Sequence, residues 1–101
     1  MHVLPPTGQT LLGFMDNVMG SAAVGTFPVT TTSVSVYLTC AGKGAIKIVI
    51  DPVGSFPLEC EATGAASANR FQVSGYGQDH FSVSIAAQPG QVWAATVAAD
   101  S

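Results

Sequence analysis

Two cysteines, Cys40 and Cys60, each close a run in which alternate residues are apolar, and this pairing constrains the fold more than any other feature of the chain. Val34, Val36, Leu38 and Cys40 share one side of an extended segment, and Ser33, Ser35, Tyr37 and Thr39 share the other, because side chains alternate along a strand. After the Ala41 to Gly44 turn, Ile46, Ile48 and Ile50 repeat the pattern with Lys47 outward. Phe56, Leu58 and Cys60 repeat it again with Glu59 outward. In a plain three-stranded meander, two spacings of about 4.8 Å would separate the cysteine strands, too far for a bridge. A Cys40–Cys60 disulfide therefore requires the Phe56 to Cys60 strand to cross to a second sheet packed on the first. Such a bridge would stabilise the fold by about 3 kcal/mol. Two buried free thiols are the competing reading.

The remaining chain reads as more short strands. Pro28 belongs on an edge strand, since it donates nothing to a ladder. Phe71 and Val73 point inward in the segment 69–74, and Phe81, Val83 and Ile85 in 80–86. Pro89 and Gly90 mark a hairpin into 91–98, where Trp93, Ala95 and Val97 share the inner face and Trp93 anchors the core. The segment 9–25 is ambiguous: Leu11, Met15 and Val18 recur at helical spacing, but Gly13 and Gly20 interrupt them, and an extended reading is preferred. Its methionines read as core filler or as an adaptable docking surface. Seven to eight antiparallel strands with no convincing helix lead to an all-β, immunoglobulin-like sandwich over residues 25–101. Residues 1–24 are expected to form an extended N-terminal assembly arm, with Pro5 and Pro6 opposing regular pairing. Leu11, Leu12, Phe14, Met15, Val18 and Met19 would dock on a neighbouring subunit. Leu4 to Gly8 matches the pentapeptide that sortases cleave, but no apolar span and basic tail follow it, so it reads as coincidence.

The chemistry-bearing residues are few. His2 and His80 have no partners at ligand spacing, so no metal is expected. Asp79, His80 and Ser82 lie close in sequence, but G-x-S-x-G is missing and catalysis is not expected. The acidic residues are scattered, with no calcium-loop pattern, and no cofactor is expected. Three basic residues and a net charge of −3 offer no footprint for nucleic acid. Mean hydropathy is +0.42, but no apolar run reaches the length of a membrane helix. Only 9% of residues are charged, against about 25% in an ordinary domain, which suits a surface packed against other surfaces.

The pattern from Ser33-Val-Ser-Val-Tyr-Leu-Thr-Cys40 through Gly42-Lys43-Gly44 and Cys60 to Val83, Pro89-Gly90 and Trp93 resembles small secreted or lipid-anchored sandwich domains of actinobacteria. That resemblance implies an exported, non-catalytic module and transfers no functional residues. Two expectations follow. One is a structural subunit that decorates or cements a larger particle such as a virion, contacting protein subunits and associating with itself; lacking a basic region and apolar run at its start, the chain would reach the outside by lysis. The other is a secreted or cell-surface binding module.

Overall fold

The computed structural model describes residues 10–60 and 67–99. Eight strands form: β1 Thr10–Met19, β2 Ala22–Pro28, β3 Ser33–Ala41, β4 Ala45–Asp51, β5 Gly54–Glu59, β6 Ser67–Gln72, β7 His80–Ala86 and β8 Val92–Ala99. They make two four-stranded antiparallel sheets, ordered β1-β8-β3-β6 and β2-β7-β4-β5. The described residues contain no helix, so none is long and apolar enough to cross a membrane.

The order has a simple origin. β1 pairs with β8, β2 with β7, β3 with β6 and β4 with β5, so the chain is one long antiparallel ribbon folded at the Pro52-Val53 turn. Winding this ribbon on itself adds the β3–β8 and β4–β7 pairings and alternates strands between the sheets. This is the winding of a double-sheet jelly roll. In the expected immunoglobulin order the first strand pairs with the second; here β1 and β2 lie in different sheets. The turns at 41–44 and 87–91 are likewise crossovers between sheets rather than hairpins.

Alternation decides what is buried. Val34, Val36 and Leu38 from β3 and Trp93, Ala95 and Val97 from β8 face Ile46, Ile48, Ile50, Phe81, Val83 and Ile85 of the other sheet. The Trp93 ring is fully buried, and its Nε1 donates to the Gly20 carbonyl at 2.8 Å, which satisfies its one polar atom. Cys40 and Cys60 are buried and bridged across 5.2 Å between Cα atoms. The sheet crossing that allows this occurs between β3 and β4, one turn earlier than expected, and β4–β5 is an in-sheet hairpin.

Aromatic rings close both rims of the sandwich. Phe56 on β5 and Phe71 on β6 meet at 4.6 Å between centroids. At the other rim the Phe27 ring packs on Phe81 at 5.6 Å and lies where a Cβ on Gly13 or on Gly25 would come within 2.9 Å of its Cζ. Both glycines sit beside register shifts, so the edge strands bend around the ring. Bulges in β1 and β2 and prolines at Pro28 and Pro57 also break up three of the four sheet edges, which limits unplanned strand addition.

The arm assignment is corrected at residues 10–24. This stretch is β1 and the first part of β2, paired with β8 and β7 of its own chain. Leu12, Met15 and Val18 pack against the core. Two irregularities hid the strand's period: its register shifts at Leu11/Gly13 and at Met15/Val18, the second containing Asn17 at φ 52°. Residues 1–9, including Pro5, Pro6 and the Leu4 to Gly8 match, lie outside the described residues.

Candidate docking surface

Directly opposed residues of an antiparallel pair share a face, so the register defines the outer surface of each sheet. On the β2-β7-β4-β5 sheet, cross-strand neighbours include Thr26 and Ser82, Val49 and Ser84, and Lys47 and Ala86. Ser82 Oγ and Thr26 Oγ1 are hydrogen-bonded at 3.1 Å. Lys47, Asp51, Glu59 and His80 are exposed, and this is a solvated hydroxyl-bearing face.

The outer face of the β1-β8-β3-β6 sheet is different in kind. One register row runs Leu11, Ala98, Ser35, Arg70, and the next runs Phe14, Thr96, Tyr37, Ala68. Asp16 and Asn17 lie opposite Ala94, which pairs with Thr39, and Met19 pairs with Val92. Ala94, Thr96 and Ala98 are 0%, 1% and 0% exposed although they point away from the core. Ser35 and Thr39 beside them are also buried. By contrast Leu11, Phe14 and Met19, all on β1, are 48%, 51% and 77% exposed. The middle of this face is thus closed to solvent, and its exposed apolar side chains lie on the edge strand β1.

Two expected features meet here in altered form. Of the six residues assigned to docking, β1 sends Leu12, Met15 and Val18 inward and Leu11, Phe14 and Met19 outward. Cys40, Cys60 and Trp93 serve the core and take no part in the surface. Sequence reasoning missed that β8 is buried on both sides, yet the signal was present: in Val92 to Ala99 both alternating sets are small or apolar, the mark of a strand covered on both faces. It also missed Gln91, which is buried at the end where the two crossovers meet. Gln91 Oε1 accepts from the Gln88 N–H at 2.8 Å, and its Nε2 donates to the carbonyls of Lys43 at 2.9 Å and Ala45 at 3.2 Å. Gly42 at φ 127° lets the first crossover approach this side chain, since a Cβ there would lie 3.3 Å from Gln91 Cγ and 3.2 Å from the Gly90 carbonyl.

Among the described residues no three His, Cys, Asp or Glu side chains converge as a metal site. His2 lies outside the described residues. The Asp79 and His80 side chains are exposed where β7 begins, and Ser82 is engaged with Thr26. No protein family, no curated protein and no solved structure matches the chain.

Proposed function

We propose that this chain is a non-catalytic structural subunit that docks on other proteins through the outer face of the β1-β8-β3-β6 sheet, as an outer decoration or cement protein of a virion or similar large assembly. The observation that carries this reading is the exposed line of Leu11, Phe14 and Met19 on the edge strand β1. Large exposed apolar residues grouped on one strand are what an interface core requires. The scarcity of charge elsewhere supports it, as does the disulfide, which persists where thiols are not kept reduced.

The test is mass measurement of native assemblies that contain the chain, together with a Phe14→Glu variant. The expected result is a fixed copy number for the wild type and reduced incorporation for the variant. Incorporation of Phe14→Glu at the wild-type copy number would overturn the docking face. The Cys40–Cys60 bridge equally suits a secreted or cell-surface binding module. Recovery of the chain from culture medium or cell envelope, free of any particle, would favour that second reading.

A further inference from the structure

We infer that β6 is a joining edge, at which a second copy of the chain adds its own β6 antiparallel about a two-fold axis perpendicular to the sheet, so that two β1-β8-β3-β6 sheets become one continuous sheet. The contact lies at the opposite edge of that sheet from Leu11, Phe14 and Met19 and does not depend on the docking reading.

The four edges differ in how they meet an incoming strand. Val29 N–H donates to the Asp79 carbonyl at 2.8 Å, and Cys60 N–H to the Gly44 carbonyl at 2.9 Å. Alternate residues of an antiparallel strand direct their N–H and C=O to the same neighbour. These two bonds therefore fix Pro28 in β2 and Pro57 in β5 as positions whose main chain faces outward along the sheet. Each proline stands where an N–H would otherwise be offered to an added strand. β1 is interrupted by two register shifts. β6 carries neither device: Ser-Ala-Asn-Arg-Phe-Gln pairs with β3 in unbroken register, and no described strand lies beyond it. A regular edge of this kind is a template for strand addition.

The same accounting sets the register of the added strand. Val73 N–H donates to the Thr32 carbonyl at 2.9 Å, so Ser67, Asn69 and Phe71 turn their main-chain groups toward β3, and Ala68, Arg70 and Gln72 turn theirs away from it. Asn69 Nδ2 and Ser67 Oγ donate to the Val36 and Leu38 carbonyls at 3.4 and 3.3 Å, so these side chains lean toward β3 and not over the edge. The two-fold can be centred on Asn69, Arg70 or Phe71. Centring on Arg70 sets two arginines directly opposite each other, and centring on Asn69 sets Phe71 against Ser67; like charges and unlike side chains weigh against both. Centring on Phe71 opposes the two Phe71 side chains at a pair without main-chain bonds, where opposed side chains come closest. Arg70 of each copy then lies against Gln72 of the other, each such pair exchanging both main-chain hydrogen bonds. No side-chain contact of Arg70 is required. Ser74 N–H turns back to the Thr32 carbonyl at 3.4 Å, so the ladder ends before Ser74 and Ala68 gains no partner.

Phe71 is only half-buried in the single chain and meets the half-buried Phe56 of the other sheet at 4.6 Å between centroids. Joining the edges brings such a pair from each copy together at the rim and covers apolar area that the single chain leaves wet. The operation is isologous and closes at two copies. One short strand from each copy is a small contact, so the dimer is weak in dilute solution and favoured where copies are held side by side.

Sedimentation equilibrium of the full chain, with amide hydrogen exchange on the same samples, tests this. The wild type is expected to show a monomer–dimer equilibrium between about 10 μM and 1 mM. Over that range the Arg70 and Gln72 N–H groups should gain protection and the Ala68 N–H should not. Protection of all three, or of Ala68 and Arg70 alone, would overturn the pairing at Phe71. Gln72→Pro removes an outward N–H, as Pro57 does in β5, and leaves the bonds to β3 in place; association should weaken at least tenfold. Gln72→Ala keeps that N–H and should associate as the wild type does. Thermal denaturation of dilute Gln72→Pro checks that it folds, and if it does not, the exchange pattern of the wild type decides alone. A wild type that stays monomeric at about 1 mM, protection located outside β6, or a folded Gln72→Pro that associates like the wild type would each overturn the joining edge. Phe14→Glu, on β1, should leave this dimer unchanged, which separates it from the docking reading.

Discussion

Replacing Gly13 by Ala asks whether β1 belongs to the sandwich of its own chain. The added methyl would stand 2.9 Å from Cζ and 3.0 Å from Cε1 of Phe27, closer than two carbons pack. The ring has little room to move away: it rests on Phe81, and a Cβ on Gly25 from the other sheet would meet the same Cζ at 2.9 Å. Overpacking of this kind costs about 1–3 kcal/mol. Loss of glycine's freedom in the unfolded chain returns about 0.4–1 kcal/mol, so the expected net destabilisation lies between about 0 and 2.6 kcal/mol. Equilibrium urea denaturation measures it. The cause is isolated by repeating the substitution in a Phe27→Leu background, where the cost should fall by at least about 0.5 kcal/mol because contacting residues couple. Gly25→Ala should behave alike, and the two together should cost more than their sum, since both methyls crowd Cζ and Cε1 of one ring. Were the cost of Gly13→Ala the same with Leu at position 27 as with Phe, the ring slot would not exist and β1 would not be anchored as described. A segment docked on another molecule would show no coupling to Phe27.

Three further outcomes follow from the packing. Replacing Cys40 and Cys60 together by Ala should lower the unfolding free energy by about 3 kcal/mol, from the 20-residue separation they close, read as a midpoint shift in guanidinium. Trp93→Ala should cost about 3–5 kcal/mol, and Trp93→Phe less, leaving the Gly20 carbonyl without its donor; thermal denaturation of the two variants should rank them in that order. Gln91→Met keeps the volume but removes all three hydrogen bonds at the crossovers, so it should cost about 2–3 kcal/mol and speed amide exchange at Gln88, whose N–H loses its acceptor.

The strands themselves were legible because their causes are local. Val34 to Cys40, Ile46 to Ile50 and Phe81 to Ile85 alternate without interruption, and each puts its apolar set into the core. The cysteine positions carried longer-range information: two strand ends that can be bridged cannot lie two spacings apart in one sheet, so a second layer was required. Trp93 was readable as core from its neighbours Ala95 and Val97. The segment 10–24 was not readable in the same way, because the bulges near Leu12 and Asp16 break the two-residue period on which such a reading depends.

By itself the sequence determined an all-β chain, the inward set of each regular strand, and the need for two layers. Only the tertiary structure decided that β1 pairs with β8, that both turns beside Gln91 cross between sheets, and that Leu11, Phe14 and Met19 are exposed on an edge strand beside the buried Ala94, Thr96 and Ala98. The physical reason lies in the ladder. Backbone hydrogen bonds are alike in every strand pairing, so side-chain alternation names the face a residue occupies but not the strand beside it. Neighbours are chosen by how the whole ribbon winds to bury its apolar sets at once, a property that no single segment of the chain contains.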